Sequence, residues 1–457
     1  MRYFFSFITL WSFYFHPIFA ISTLDSILSI GIPVLKIDLV DKEFPTFDII
    51  EAPEGSWSFS ITNATKVPGR MQIYLPDGTI AYDSGEYSEN KSGLTLKVRG
   101  NTSVTFNDKV QYKIKLQKKA NLIGDYSDTH YNDKNWVLLY PKFQTIIGNK
   151  MNSIFGIEYI PRQQLCNVIL NDSLLGSYLL SESVERNTDC RLNVDKDSGY
   201  IVERDAYWWN EPVYFNTDFF HSPCAFTFKY PDSDDVTDSQ IDYIRDFINR
   251  FEASIDDGTY EKYIDVNSFA AWLLAHDLLG TKDSGGSNMY FTKRDSSDRT
   301  KLKMSTLWDF DSIFEVSEDW SPVHKSYLTG YFALLFNSPN PAFKKAFVDS
   351  WKGISPKVHD DVMNYLKDYL NSSETAGWGG YEYLYGQIQN ADDWFNKRIL
   401  WINAEVEKME STMPTGINTV KSQSTRDDIY NICGQKIRFA PKGIFLKNGQ
   451  KYINYKD

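Results

Sequence analysis

The spacing of apolar residues changes part-way along this chain. Between residues 33 and 119, the segments VLKIDLV, SWSFSIT, RMQIYL, LTLKVRG and YKIKL alternate apolar and polar side chains. That is the period of strands with one buried face. Asp77-Gly78 marks a hairpin whose return is TIAYDSG. Residues 135–205 mix strands (NWVLLY, NVILN, then GSYLLSE after the Asn171-Asp172 turn) with one helix in TIIGNKMNSIFG. From residue 236 the period becomes helical, with Ile241, Ile244, Ile248, Phe251 and Ile255 on one stripe and Thr237 or Asp238 placed to cap it. NSFAAWLLAHDLLG reads as a more apolar helix ending at Gly280, and 341–352, 357–370 and 391–409 are also helical in pattern. A β-rich front and an α-rich back predict an α+β chain with two lobes.

The chain has 457 residues, 42% hydrophobic and 24% charged, which excludes wholesale disorder, collagen-like repeats and a multi-span membrane protein. Lys and Arg number 48 against 60 Asp and Glu, a net charge of −12, so the totals imply no broad basic surface for nucleic acid. Arg2, the apolar stretch from Tyr3 and the small Ala20 predict a secretory signal peptide over 1–20 and hence an exported, secreted or surface protein. No later apolar run is long enough to span a bilayer. The four cysteines form no C-x-x-C pair. Export permits a Cys190–Cys224 bridge, and free buried thiols are equally compatible with the spacing. Aromatics reach 16%. They fit an aromatic-rich core, and Trp208-Trp209 and Trp378 leave sugar binding open.

No G-x-x-x-x-G-K-[ST], H-E-x-x-H or G-x-S-x-G motif occurs. Two acidic elements stand out instead. Asp283-Ser-Gly-Gly-Ser-Asn288 follows the helix that ends at Gly280, and Trp308-Asp309-Phe310-Asp311 follows the strand-like KLKMSTL. Asp283 and Asn288 have the D-x-x-x-x-N spacing of a kinase catalytic loop. Asp309-Phe310 begins like the metal element of kinases, with Asp311 where Gly would stand. Transfer of phosphoryl from ATP needs a hard cation with oxygen ligands, Mg²⁺ or Mn²⁺, and a carboxylate to orient the acceptor hydroxyl. Asp283 is the candidate base, with Asn288, Asp309 and Asp311 as metal ligands. Cations for the phosphates are sought in the strand around Lys113 and Lys115, which alternation puts on one face, and in the turn Arg99-Gly100 before it.

In order, the blocks RGNTS, YKIKL, NWVLLY, VILN, GSYLLSE, GYIVERD, KYPD, DLLGTKDSGGSNMYF and KLKMSTLWDFD resemble the CotH spore-coat kinase family, closely over 90–315 and more loosely to 410. The resemblance implies an atypical, secreted or surface protein kinase that transfers phosphoryl from ATP to Ser or Thr with Mg²⁺. It implies Asp283 as the catalytic Asp, Asp309 as the metal-binding Asp, and Asn288, Lys113 or Lys115 and Arg99 in the nucleotide site. Glu182 and Glu203 match acidic positions of the family blocks, and Glu182 is counted with the nucleotide site. The chain departs from the family at Lys109-Val110, where a lysine pair is usual. It departs again at Gly148, where Arg is common, and at Thr281, where Asn is usual.

The tail IYNICGQKIRFAPKGIFLKNGQKYI resembles the short C-terminal sorting modules of proteins exported by a type IX-like route. The predicted organisation is a signal peptide (1–20), a β-rich N-terminal region (21–90), a CotH kinase-like domain (91–410), a linker (411–426) and a β-like tail (427–457). Expected partners are ATP and an extracytoplasmic acceptor protein, with no nucleic acid. A non-catalytic surface or coat-type binding protein that keeps the same fold is the alternative.

Overall fold

The computed structural model describes residues 24–56, 59–219, 224–284, 287–317 and 330–413, with the short stretches 429–431, 436–437, 443–447 and 450–454. The predicted signal peptide lies outside the described residues, as does most of the predicted linker. The chain divides into two compact units, one ending at Val406 and the other beginning at Glu407.

The alternating segments form strands. They are β1 (Val34–Leu39), β2 (Asp48–Glu51), β3 (Phe59–Thr62), β4 (Val67–Tyr74), β5 (Ile80–Asp83), β6 (Leu94–Arg99), β7 (Gln111–Ala120), β8 (Asp133–Leu139), β9 (Gln163–Leu170) and β10 (Ser173–Glu182). β1 runs parallel to β9, with Val34 opposite Asn167, and antiparallel to β4, with Val34 opposite Tyr74. The sheet therefore closes into a ring in the order β1-β9-β10-β8-β7-β6-β4, with β5 alongside β4. Closure removes the exposed edges that an open sheet would leave. It also puts every second residue inside. Leu94, Leu96 and Val98 of β6, Tyr112, Ile114 and Leu116 of β7 and Trp136 and Leu138 of β8 fill the lumen with Ile37, Met71 and Val168. Each such aliphatic side chain contributes roughly 1.5–3 kcal/mol by leaving water. Because β1 and β4 belong to this ring, the 21–90 region shares one core with the strands that follow. β2 and β3 pair separately, with β2 exposed and Ser60 and Ile61 of β3 buried, Ile61 against the barrel core.

A second sheet has the order β12-β13-β11-β14-β15. Its strands are β11 (Tyr200–Asp205), β12 (Tyr214–Phe215), β13 (Ala225–Tyr230), β14 (Met289–Lys293) and β15 (Leu302–Thr306). The α-rich back half thus carries a sheet of its own, built from blocks on both sides of residue 236. The helices are α1 (Leu24–Leu28), α2 (Ser103–Phe106), α3 (Phe143–Ile154), α4 (Asp238–Asp257), α5 (Val266–Leu279), α6 (Tyr331–Asn337), α7 (Ala342–Ile354), α8 (Val358–Leu370) and α9 (Tyr381–Thr412). Thr237 and Gln240 form a capping box at the start of α4. α5 is apolar almost all round because nearly every residue from Phe269 to Leu279 is buried, packed against α7 and β15. α9 starts ten residues before the sequence pattern suggested. Gly379 and Gly380, both at positive φ, stop the preceding segment, and Leu384 and Ile388 extend the apolar stripe of α9 backward.

Among the described residues no helix is long and apolar enough to cross a membrane. Cys166, Cys190 and Cys224 are free thiols, so Cys190 and Cys224 are not bridged. Cys433 lies outside the described residues. In the tail, Ile429–Asn431, Lys436–Ile437, Gly443–Lys447 and Gln450–Asn454 form an antiparallel four-stranded sheet.

Candidate active site

The β14–β15 hairpin brings the two acidic elements together. Asn288 stands directly before β14 and Asp309 soon after β15, and Tyr290 lies opposite Thr306 at the base of the hairpin. The Asn288 Nδ2 donates to Asp309 Oδ2 at 3.2 Å. Both residues sit at positive φ, 58° and 63°. Left-handed backbone in a non-glycine residue costs energy and gathers at functional sites.

The segment after Asp309 is tied to the loop that holds Asp283. The backbone N–H of Asp283 donates to Ser312 Oγ at 3.2 Å, and that of Lys282 to the Ser312 carbonyl at 3.2 Å. Gly280 caps α5 in the left-handed region at φ 59°, and a Cβ there would press into the Trp394 ring. Trp394 in turn donates from Nε1 to the Leu278 carbonyl at 2.9 Å. Thr281 is buried, and its hydroxyl meets His276 Nδ1 at 3.1 Å.

These elements line one side of a cavity of about 760 Å³, to which Asp283, Asn288, Asp309 and Asp311 all contribute. The opposite side is the end of the barrel: Arg99, the last residue of β6, Gly100 and Thr102 after it, Gln111 of β7 and Leu139 of β8. Gly100 turns the chain at φ 109°, and a Cβ there would collide with Ser103. The floor comes from the second sheet, with Glu203 of β11 and Lys229 of β13. Lys229 Nζ lies 2.9 Å from Glu203 Oε2.

The electrostatics follow from crowding four acids with two fixed cations. Withdrawal from bulk water pushes the Asp309 carboxyl up to about 7, and Asp311, Asp283 and Glu203 add to the push while Arg99 opposes it. Part of Asp309 remains open to cavity water, which screens this repulsion. Asp283 is also raised, by desolvation and then by Asp311. Burial moves Glu203 to about 7, against the pull of Lys229. For Lys229 burial acts downward, but Glu203, Asp205 and Glu211 outweigh it and the ammonium stays charged. Lys142 reaches Asp311 at 3.5 Å.

Three sequence-predicted site residues are not on the cavity wall. Lys113 and Lys115 face outward from the barrel, beyond the cavity-lining Gln111, and Lys113 pairs with Glu185 at 3.3 Å. Glu182 is buried at the far end of β10, where it accepts from the Arg162 side chain at 2.9 and 3.0 Å. Arg162 also stacks on Tyr131, so this pair ties the barrel to the chain before it. Conversely, Lys229 had no place in the sequence-predicted site and Glu203 only an unassigned one. The cross-strand position of KYPD beside YIVERD is what joins them.

The family described as CotH kinase protein matches residues 96–391, well over half of the chain. The chain belongs to the CotH kinase family. Its four acidic-site residues, together with Arg99, Gly100, Glu203 and Lys229, all fall within the matched span. Among solved structures, the chain is similar to the proinflammatory kinase CtkA of Helicobacter pylori, with 12% identity and a TM-score of 0.33 over 65% of this chain and 95% of that one. No curated protein matches it.

Two departures from the usual CotH pattern now have a physical setting. Gly148 of α3 faces Phe310, whose ring fills the space a side chain at 148 would need. Lys109 donates to the Ser177 carbonyl at 3.1 Å and lies over the Tyr178 ring, on the barrel rather than in the cavity.

Proposed function

We propose that this CotH family member is a Mg²⁺-dependent, ATP-using protein kinase that phosphorylates Ser or Thr of proteins outside the cytoplasm. The observation that carries the reading is the pairing of Asn288 with Asp309 at the base of one hairpin, in the same cavity as Asp283 and the Lys229–Glu203 pair. In this reading the barrel is the nucleotide-side lobe, the second sheet and its helices are the other, and the cavity between them is the cleft. The predicted leader and tail support a destination outside the cytoplasm.

The donor set fits a divalent cation. Crowded carboxylates with raised proton affinity gain from a cation between them. Asp309, Asp311 and the amide oxygen of Asn288 would hold it, and an amide turned about its last bond presents that oxygen instead of nitrogen. Among the described residues no three or more His, Cys, Asp or Glu are grouped to hold a metal by themselves. Mg²⁺ in such sites keeps several waters and takes further ligands from phosphates. When bound, the ion would neutralise charge on the triphosphate.

The chain's own residues supply the rest. Lys229, held by Glu203, and Arg99 offer fixed positive charge to phosphate oxygens. The loop after Arg99 can bring backbone N–H groups to them. Asp283, anchored through Ser312, orients an acceptor hydroxyl and takes its proton as the oxygen attacks the terminal phosphorus and the bond to ADP breaks. The departure at Gly148 does not favour the non-catalytic alternative, since Phe310 occupies the space. Calorimetry of ATP with MgCl₂ against the purified chain tests the reading. We expect saturable, metal-dependent binding that Asp309→Asn removes. Binding that ignores the metal, or none at all, would reject it.

A further inference from the structure

We propose that a row of lysines on the barrel, beside the cavity, docks a carboxylate-rich segment of the acceptor protein next to the Ser or Thr to be phosphorylated. The inference rests on the kinase reading and names the acceptor class for it.

The row follows from strand register. Lys97 of β6 lies directly opposite Lys113 of β7. Val67 of β4 lies opposite Leu96, so the same register places Lys66 opposite Lys97 on the other side. Leu96 and Ile114 point into the lumen, so these three lysines share the outer face, with Lys115 two residues further along β7. Like charges directly across strands destabilise a sheet, and here three stand abreast in a chain whose net charge is −12. Their proximity is felt at Lys97, whose proton affinity is lowered by burial and then by Lys66 and Lys113. The nearby acids answer only part of this charge: Glu185 pairs with Lys113, Glu211 acts on Lys97, and Asp232 faces Lys113 and Lys115 at longer range. Among the described residues, Lys66 and Lys97 make no ion pair.

The row is continuous with the cavity. Arg99 and Gln111, which line it, are opposite each other and only two residues along the strands from Lys97 and Lys113. At roughly 3.3 Å per residue that is about 7 Å, one side-chain row. A segment whose hydroxyl reaches Asp283 can therefore lay neighbouring carboxylates on the lysines.

The test uses short fluorescein-labelled peptides with one central Ser flanked by Glu, by Gln or by Lys, titrated into the full chain and read by anisotropy. The Glu peptide should bind at least about tenfold tighter than the Gln peptide, and 0.5 M salt, an ionic strength of about that order, should erase the difference. The Lys66→Gln/Lys97→Gln double variant should lose that tenfold, keep its ATP–Mg²⁺ affinity and melt no lower than wild type, since it relieves repulsion. Equal binding of the Glu and Gln peptides, or tightest binding of the Lys peptide, would overturn the proposal. So would a double variant that loses nucleotide affinity in place of peptide affinity. The binding readout needs no catalysis: lysine-dependent capture of the Glu peptide without phosphate transfer would sink the kinase reading and leave the acidic docking surface standing.

Discussion

Gly148 of the first long helix is packed face-on by Phe310. A Cβ at 148 would come closer than 3.0 Å to three carbons of the Phe310 side chain. Phe310 is buried, and its two sequence neighbours, Asp309 and Asp311, line the cavity. One missing methyl on α3 therefore sets where Asp309 and Asp311 stand. Gly148→Ala should displace the ring and lower stability by about 1–3 kcal/mol, the usual cost of overpacking. Metal-dependent ATP binding should weaken at least tenfold with it. Adding Phe310→Leu should recover much of both, as read by urea unfolding and calorimetry. Full affinity in Gly148→Ala alone would show that the contact does not position the acids.

The Asp309 carboxyl gives a pH signature. Its proton affinity is raised in the folded chain, so the folding stability it contributes is full below its ordinary value of 3.8 and is lost as pH rises through about 7. Asp309→Asn removes that loss. The variant should melt higher than wild type at pH 8 and about equally at pH 4, without metal. MgCl₂ should raise the wild-type melting temperature at pH 8 and leave the variant's unchanged. A variant that melts lower at pH 8 would mark Asp309 as structural.

The Lys229–Glu203 pair predicts a split between folding and binding. Glu203→Gln keeps a hydrogen-bonding side chain of the same shape beside Lys229 but removes the charge that holds the ammonium in place. ATP–Mg²⁺ affinity should fall about tenfold, the order of one charge-assisted contact, while the melting temperature at pH 8 changes little, because relief of a buried carboxyl raised to about 7 is offset by the counter-charge lost to Lys229. Unchanged affinity would remove the pair from the nucleotide site.

Burial drives the His276 imidazole down to about 3. It lies under Trp272 and meets Thr281 at the start of the Asp283 loop. A depressed folded value means its stability is present above 6.5 and is lost as pH falls from there toward 3. At pH 5 the loss is about 2 kcal/mol by linkage. Between pH 7 and 5 the wild-type urea midpoint should shift downward relative to that of His276→Asn, since the carboxyls raised to about 7 act alike in both. An equal shift in both would clear His276 of the acid sensitivity.

Much of this site was legible in the sequence because it is local. Asn288 and Asp309 flank a single hairpin, and Asp283 follows a helix stopped by Gly280, so short-range signals were enough. Lys113 was read onto the right face of its strand, but alternation does not say which stretch of that face meets the cavity. Lys229 and Glu203 meet only through pairing of β11 with β13, a relation set by tertiary packing and invisible to periodicity. Ring closure is of the same kind. Nothing in VLKIDLV shows that it pairs with β9 on one edge and β4 on the other.

The account stands most directly on Asp283. Phosphate incorporation from γ-labelled ATP should be followed into the chain itself and into Ser- and Thr-containing proteins, for wild type and Asp283→Asn side by side, with ATP–Mg²⁺ affinity measured on the same samples. We predict that wild type transfers phosphate and that the variant binds ATP nearly as well but transfers about 10²–10⁴-fold more slowly, the worth of a positioned general base. No incorporation by wild type with Mg²⁺ or Mn²⁺ across a broad panel of acceptors, or full transfer by Asp283→Asn, would contradict it.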